Sequence, residues 1–269
     1  MRDRKEILNE IYERLNHVFY SNFESIDPTS WTDFQSANYA MLTRAKSLLR
    51  AIQLLISKGF IAESAILARS LMELNWMYLF LIDAKMMNED GVERFQYDDN
   101  PPKDSSAFIR AMRYLSWHWV EAYQHGNRDE TVVRMYAKVK NTFGYKHDHE
   151  VPKVWYFEKA NKIRHIKDVA KYVGAEGQYK DDYSHLCGIQ HTDITAVMVE
   201  TIGSQKESSY SDFVFFKVLQ TFAFILKTTM NVFGRKVDEV ILNSISDLNS
   251  LSNDLYTHIK ETGVKRLKA

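Results

Sequence analysis

The chain has 269 residues, enough for a sizeable hydrophobic core, and its 35 basic and 35 acidic side chains cancel. This balance excludes a chain-wide field that recruits nucleic acid or an anionic membrane, so charged partners must bind local patches. A single cysteine, Cys187, excludes an intrachain disulfide and favours a cytoplasmic location. Ten glycines and four prolines are few for a sheet with many turns, which favours an all-α fold. No apolar run approaches the ~20 residues of a membrane span, so no membrane partner is predicted.

Apolar periodicity predicts one domain, residues 1–269, built as a single helical bundle of about seven or eight helices. Either Ser30 or Thr32 is placed to cap the second helix, and Gly59 is placed to end it in a left-handed conformation. The segment at about 87–106 contains a glycine, a proline pair and clustered acids, which predict a polar loop excursion rather than an acidic binding loop. The lysine-rich C-terminal tail is expected to fray.

The third helix, from Phe60 to Ala84, is apolar on more than one face and still carries two opposite charges, Arg69 and Glu73. Such a helix is expected inside the bundle, together with helices from Gln178 to Ile202 and from Tyr210 to Phe233. A buried ion pair often returns no more free energy than its desolvation costs. The pair therefore predicts a role besides stability.

A polar partner for this pair is predicted in the helix that begins at Gln178. Tyr183, Cys187 and His191 lie four residues apart and share one face of it. If this face packs on the Arg69 and Glu73 pair, the site suits phosphate binding or acid–base catalysis. In this hypothesis His191 is the acid or base, Arg69 holds a phosphate or oxyanion, Glu73 orients the others and Tyr183 donates a hydrogen bond. The alternative is a polar network that only fixes the helix register.

Motifs for metals and cofactors are missing from the sequence. It contains none of the common nucleotide-binding, zinc-protease or hydrolase signatures, and no Glu-x-x-His pair of a di-iron bundle. His147, His149 and Glu150 could bind a divalent ion, but a loop without a second ligand group makes this unconvincing. We therefore predict no cofactor and no metal site.

Basic side chains are concentrated between Arg134 and Lys171, where ten bases stand against four acids. Trp155, Tyr156 and Phe157 lie within this stretch and could stack on nucleic-acid bases. The alternative is an ordinary solvated helix face beside core aromatics, which the neutrality of the whole chain favours.

Two short motifs resemble a known family. ILARSLMELNWMYLFL, which contains R-S-x-x-E, is followed much later by YSHLCGIQH, which fits Y-x-x-L-S-x-x-x-H except for a cysteine. These segments resemble the bacterial domain of unknown function 5677 family, which implies a helical bundle and no established activity. Cys187 stands where the family pattern has serine, so a serine hydroxyl cannot act there. The matching residues are Arg69, Ser70, Glu73, Tyr183, Leu186 and His191.

A second histidine pattern lies in RYLSWH, from Arg113 to His118. It is similar to the loose R-x4-to-6-H pattern of HEPN ribonucleases, which are helical, cut RNA without metal and serve in defence or toxin systems. Tyr114 departs from that pattern, because the residue after the arginine is usually polar there. The alternative is a partly buried pair beside Trp117 and Trp119, since arginine stems and imidazoles commonly lie against aromatics.

Together these observations predict a bacterial cytoplasmic protein with an Arg/Glu/His polar site. The sharper hypothesis is a metal-independent ribonuclease of a stress or phage-defence system, with RNA or a small anion as ligand. A homodimer is expected by analogy with HEPN-like proteins, which assemble composite sites across dimers. The alternative class is a non-catalytic interaction or small-anion-sensing protein, in which the same residues hold the bundle together.

Overall fold

The computed structural model describes residues 4–24, 27–89, 92–183, 205–237 and 239–261. These ranges contain nine α-helices and one two-stranded sheet, which confirms the all-α class. Short 3-10 turns lie at Pro28–Ser30 and Asp148–Glu150, and a π-helical turn, Tyr179–Tyr183, follows α7. The helices are α1 Arg4–Phe23, α2 Asp33–Ser57, α3 Ile61–Leu81, α4 Ser106–Gln124, α5 Glu130–Thr142, α6 Ile166–Tyr172, α7 Glu176–Gln178, α8 Gln205–Val232 and α9 Glu239–Glu261.

The chain divides into two compact units of contacts. Unit 1 comprises Met1–Asp27, Met41–Asn75 and Gly177–Ala269, and unit 2 comprises Pro28–Ala40 and Trp76–Glu176. The single-domain interpretation stays a prediction.

In unit 1, helices α1, α8 and α9 pack against one another. Leu8, Ile11 and Leu15 recur at helical spacing on α1 and are at most 1% exposed. Arg14, on the polar side of α1, donates to a carboxylate oxygen of Asp247 on α9 at 2.8 Å. The amphipathic pattern of α1 therefore buries one stripe in the unit 1 core and ties its edge to α9.

Helix α8 contains an unusually apolar stretch, Ser211–Val232. Among the described helices it is the one that is long and apolar enough, by length and composition, to cross a membrane. However, 67% of its most apolar window is buried inside the protein, as in the core helix of a soluble protein. The finding is weak support for a membrane span, and the absence of a membrane partner stays a prediction.

Two predicted helix ends are confirmed by their hydrogen bonds. The Thr32 hydroxyl accepts from the Gln35 amide at 3.2 Å, and the Gln35 side chain accepts from the Thr32 amide at 3.1 Å. This reciprocal cap starts α2. After α2, Gly59 adopts φ 81° and the Phe60 amide donates to the Leu55 carbonyl at 2.9 Å. Glycine suits this left-handed position because it lacks a Cβ atom.

The segment at about 87–106 was predicted to be a polar loop, but part of it belongs to a pair of antiparallel strands. Strand β1, Lys85–Glu89, pairs antiparallel with β2, Val92–Gln96, in a register that joins Lys85 to Gln96 and Glu89 to Val92. Charged composition concealed this hairpin, because ladder hydrogen bonds are made by the backbone and do not require apolar side chains. The sequence did hold a signal, since Asp-Gly between two runs is typical of two-residue hairpin connections. Asp90 and Gly91 themselves lie outside the described residues.

Two short helices, α6 and α7, bring the helices of the described residues to nine, more than the seven or eight predicted. Helix α6 has seven residues, too few to display an apolar repeat, and its start is fixed by polar bonds. The Asp168 carboxylate accepts from the backbone amides of Arg164 and His165, both at 2.9 Å. Helix α7 and the π-helical turn occupy the beginning of the helix predicted from Gln178 to Ile202, and residues 184–204 lie outside the described residues.

Candidate functional site

Arg69 and Glu73 lie one turn apart on α3, in unit 1, and form an ion pair. The Arg69 Nε atom donates to Glu73 Oε1 at 3.2 Å. Their side chains are 21% and 29% exposed, so both are partly desolvated and neither is sealed from water. This differs from the expected full burial, because α3 leaves these two side chains at the edge of the core while Leu71 and Leu74 are buried.

Tyr183 completes the group from a distant part of the sequence. Its hydroxyl accepts from Arg69 Nη2 at 2.8 Å and donates to Glu73 Oε1 at 2.5 Å. The Tyr183 ring lies 4.8 Å from the guanidinium carbon and stacks on Tyr179 at 4.9 Å between ring centres. Tyr183 is 5% exposed. We call Arg69, Glu73 and Tyr183 the Arg69 cluster.

The π-helical turn, Tyr179–Tyr183, carries the tyrosine to this position. Its wider turn rotates the side chains relative to a regular α-helix, and single π turns are frequent at functional sites. Stacking of Tyr179 on Tyr183 supports the ring from one face. The phenol is thus held by ring contacts and by two charged partners.

Electrostatics keep the Tyr183 phenol protonated. Burial raises the pKa of Tyr183, the hydrogen bond and charge of Glu73 raise it further, and Arg69 opposes them. At neutral pH the Arg69 cluster therefore holds one cation, one carboxylate and one neutral donor, and its charges cancel. Such a set can bind a phosphate oxygen through the guanidinium, and through the phenol once its O–H turns away from Glu73.

The structure brings together three of the four predicted site residues, and their catalytic role stays a prediction. His191 lies outside the described residues, as do Leu186 and Cys187. Ser70, which belongs to the family motif, donates its hydroxyl hydrogen bond to the Ile66 carbonyl of its own helix at 3.3 Å.

Arg113 and His118 do not converge on α4. Arg113 Nη1 donates to the Phe157 carbonyl at 3.1 Å, and its guanidinium lies 5.2 Å from the Phe143 ring. His118 is exposed, and its Nδ1 atom lies 2.8 Å from the carbonyl of Leu115. Five helical residues rotate the chain by roughly 500°, which leaves the two side chains about 140° apart.

The Glu150 carboxylate caps the start of the 3-10 turn Asp148–Glu150 and is not oriented as a metal ligand. Its Oε2 atom accepts from the backbone amides of Lys146 at 2.7 Å and His147 at 3.1 Å. The rings of His147 and His149 stack with centres 5.3 Å apart. Within the described ranges, no three histidine, cysteine, aspartate or glutamate side chains are grouped as metal ligands would be.

A second arginine, which sequence reasoning missed, forms a more complete cluster in unit 2. Arg110 of α4 is 1% exposed, and its guanidinium carbon lies 3.8 Å from the Phe80 ring centre. Its Nε and Nη2 atoms donate to the two oxygens of Glu158 at 2.7 and 3.0 Å. Nη1 donates to the Phe80 carbonyl at 2.7 Å and to Asp83 at 2.8 Å, and Nη2 also donates to the Tyr172 hydroxyl at 3.2 Å. We call Arg110, Asp83, Glu158 and Tyr172 the Arg110 cluster.

These bonds use every N–H group of the Arg110 guanidinium. Burial of Arg110 favours its neutral form, but the hydrogen bonds and charge of Glu158 and Tyr172 outweigh this and raise the pKa of Arg110. Burial would raise the pKa of Glu158, yet Arg110 holds it below its usual value. Asp83, two residues after α3, adopts φ 54°, a strained value for a residue with a Cβ, and both Arg110 and Tyr172 donate to its carboxylate. The Arg110 cluster is therefore a structural joint with no donor left for a ligand.

An all-α fold and a partly exposed arginine–glutamate–tyrosine cluster define a helical protein with a polar site on its third helix. Residues 37–208 match the Family of unknown function (DUF5677), and the chain belongs to that family. The matched range includes all three residues of the Arg69 cluster, and the match confirms the resemblance expected from the sequence. Comparisons with curated proteins and with solved structures found no match.

Proposed function

We propose that the chain is a metal-independent ribonuclease and that the Arg69 cluster binds the phosphodiester of its RNA substrate. One observation carries this proposal: the guanidinium and carboxylate of one turn of α3 meet a phenol that lies 110 residues or more away in the sequence, with hydrogen bonds of 2.5 to 3.2 Å among the three groups. The partial exposure of Arg69 and Glu73 gives a ligand access that a fully buried network would not allow. The sequence also lacks the common metal-ligand spacings, so the chemistry is assigned to side chains.

Each side chain has a distinct task in this proposal. Arg69 places a permanent cation beside the non-bridging phosphate oxygens, where negative charge grows during cleavage. Tyr183, kept protonated by its surroundings, turns its single O–H from Glu73 to the same oxygens when the substrate binds. Glu73 accepts from both and holds them in position. The Arg69 guanidinium, held in place by Glu73 before the substrate binds, needs little reorganisation at the moment of reaction.

The reaction balances without water or metal. The ribose 2′-oxygen attacks phosphorus and loses its proton to a base, while the 5′-oxygen leaves and takes a proton from an acid. The products are a 2′,3′-cyclic phosphate and a 5′-hydroxyl end. His191 is the proposed proton-transfer group, because an imidazole with a pKa of ~6.5 exchanges protons readily near neutral pH.

The test is cleavage of single-stranded RNA by the full chain in EDTA, compared with Arg69→Ala, Tyr183→Phe and His191→Ala. We expect the wild type to produce cyclic-phosphate ends and each variant to lose about 100-fold or more in rate while its melting temperature stays measurable. Arg113→Ala is the control that separates the two histidine regions, and it should retain activity. Absence of cleavage by the wild type would overturn the proposal.

A second candidate, a non-catalytic polar network or small-anion sensor, is favoured by the mutual saturation of the Arg69 cluster. Its charges cancel, and the Tyr183 hydroxyl and Glu73 Oε1 are each bonded within the cluster. Such networks fix the register of packed helices. This candidate predicts no cleavage, a large melting loss for Arg69→Ala, and for a sensor a rise in melting temperature with added phosphate.

We further propose a bacterial cytoplasmic protein of a stress or phage-defence system, which assembles as a homodimer. The single cysteine supports a reducing compartment. An RNA-cutting activity would suit defence, since it removes transcripts without a new cofactor. Sedimentation of the purified chain tests the dimer, and a monomer at micromolar concentration would contradict it.

A further inference from the structure

Unit 2 contains a groove at the end of α5, and none of its lining residues belongs to either arginine cluster. The groove is open to solvent on one side and has a volume of about 570 Å³, within the usual ~300–1,000 Å³ of a small-molecule site. We call it the Tyr145 groove, and we define it by Val133, Tyr136, Lys140, Tyr145, Lys146 and Asp148.

A helix-ending turn builds one side of the groove. Gly144 follows α5 at φ 72°, and the Tyr145 amide donates to the Lys140 carbonyl at 2.9 Å. The chain therefore folds back along the last turns of α5. This return brings the Asp148 carboxylate to 2.5 Å from Lys140 Nζ, although the two residues are eight positions apart.

The opposite wall is formed by stacked aromatic rings. Tyr123 of α4 stacks on Tyr136 with ring centres 3.8 Å apart and planes 6° apart. The Arg128 guanidinium covers Tyr123 at 3.9 Å from its ring centre. Burial, with the charge and hydrogen bond of Asp148, raises the pKa of Tyr136 to about 12, so this phenol stays a donor to Asp148. A wall held by stacking and hydrogen bonds is preorganised for a ligand.

The ligand-facing groups are one aromatic ring and one cation. Tyr145 is half-buried, and its ring stacks on no other ring in the part of the chain that the structure describes. The ammonium of exposed Lys146 makes no ion pair among the described residues, whereas Lys140 is paired with Asp148. Lys140, Lys146 and Asp148 leave the lining with a net charge of +1, by two cations against one carboxylate. The exposed Val133 side chain adds an apolar floor.

We propose that the Tyr145 groove binds a nucleotide, with its base on the ring of Tyr145 and its phosphate at the Lys146 ammonium. A flat ring beside an unpaired cation is the combination with which proteins bind single nucleotides of a strand. The groove accepts the same chemistry from two sources, a free nucleotide or a nucleotide within single-stranded RNA. This site does not depend on catalysis by the Arg69 cluster.

The experiment measures binding of the full chain to a fluorescent 2′-O-methyl RNA of about ten nucleotides and to adenosine monophosphate. The methylated strand has no 2′-hydroxyl to attack phosphorus, so failure of binding is distinguishable from failure of cleavage. We expect Tyr145→Leu and Lys146→Ala to weaken binding at least fivefold, while Tyr145→Phe stays within twofold of wild type. Lys146→Ala should also reduce the slope of log Kd against log salt by ~0.7, the contribution of one phosphate contact on a single strand.

Lys103→Ala is the matched control. Lys103 is an exposed lysine of unit 2 that precedes α4, whereas the groove is lined by Tyr123 near the end of α4, roughly 25 Å away along the helix. It should bind as wild type does. Lys146 is exposed, so its variant remains informative if Tyr145→Leu fails to fold.

The two probes distinguish a free-nucleotide site from a subsite for single-stranded RNA. Competition by adenosine monophosphate supports a free-nucleotide site, and binding of the strand alone supports an RNA subsite. Absence of binding to both probes, or equal loss with Lys103→Ala, overturns the proposal. Competition by inorganic phosphate or polyglutamate as strong as that of the nucleotide also overturns it, because the groove would then select charge without a base.

Discussion

Two arginines in this chain are each held by a carboxylate and a tyrosine, yet their surroundings differ sharply. Arg110 is 1% exposed and all its donors are satisfied, whereas the Arg69 side chain is 21% exposed. Arg110 is also joined to the carbonyl that precedes the end of α3, so it fixes the backbone as well as side chains. The same three residue types therefore make a structural joint in one unit and an accessible polar site in the other.

The contrast shows which quantity separates structure from function in such clusters. A buried guanidinium must satisfy every N–H group, because an unmade hydrogen bond in the interior costs about 1–3 kcal/mol. A partly exposed guanidinium can exchange a protein partner for a ligand at lower cost, since water also competes there. Exposure, rather than the residue types, identifies the Arg69 cluster as the candidate site.

The largest effect is expected for Arg110→Ala. It leaves the carboxylates of Asp83 and Glu158 without their cation, and breaking one partner out of a buried ion pair costs about 3–5 kcal/mol. Urea unfolding followed by circular dichroism measures this loss. Arg113→Ala is the control on the same helix, and it should cost less because Arg113 makes one backbone hydrogen bond. A loss below about 1 kcal/mol for Arg110→Ala would contradict a structural joint.

The stabilisation that Glu158 gives to the Arg110 cluster should be present at neutral pH and lost in acid. Arg110 lowers the pKa of Glu158 below its ordinary value of 4.5 in the folded chain, despite burial. Its stabilisation is therefore complete above that value and is lost as pH falls through the lower folded pKa. Glu158→Gln should cost about 2 kcal/mol at pH 7 and much less near pH 3. The check is urea unfolding at both pH values.

Asp104→Asn, at an exposed position of unit 2, is the reference for that comparison. A penalty for Glu158→Gln that grows as the solution becomes more acidic would mean that Arg110 does not stabilise the ionised carboxylate.

Local rules predicted some of these features and could not predict others. The cap at Thr32 and the left-handed Gly59 follow from neighbours within a few positions, and both were predicted. The Arg69 and Glu73 pair is equally local, one helical turn apart. Tyr183 was predicted as a site residue from its helix-face spacing and from the family motif. Propensity rules alone did not place it against α3.

Arg110 was missed because its partners are distant in the sequence. Asp83, Glu158 and Tyr172 lie 27, 48 and 62 positions away. An arginine on an amphipathic helix ordinarily indicates the solvent side. The available signal was its flanking by Ala107 and Ala111, which are buried on the same helix face. Helical spacing around a charged residue can therefore indicate a buried joint.

Arg69→Ala should be milder than Arg110→Ala. Both Arg69 and Glu73 are partly solvated, and the bond from Tyr183 to Glu73 remains in the variant. We expect a loss of about 1 kcal/mol, near the upper end for an exposed ion pair. Urea unfolding of the two alanine variants under one condition gives the comparison directly. Equal losses would show that the two clusters have the same structural weight, and the functional distinction between them would fail.

The smallest expected effect is the change in the Tyr183→Phe penalty as the pH becomes alkaline. Burial and Glu73 raise the pKa of Tyr183 above its ordinary value of 10.0, so the folded chain keeps a proton that the unfolded chain loses. Its stabilisation is complete below pH 10 and declines as pH rises further. Tyr183→Phe should therefore cost about 1 kcal/mol at pH 8, and the difference from wild type should shrink above pH 10. Urea unfolding at the two pH values measures this change.

A double-mutant cycle with Arg69→Ala sharpens the last comparison. Because the guanidinium donates to the Tyr183 hydroxyl, the two single losses should exceed the loss of the double variant by about 0.5–1 kcal/mol. Additive losses, or a Tyr183→Phe penalty that widens with pH, would mean that the phenol is held by its ring contacts with Tyr179 rather than by the charged pair. The Arg69 cluster would then lose the neutral hydrogen-bond donor that its proposed chemistry requires.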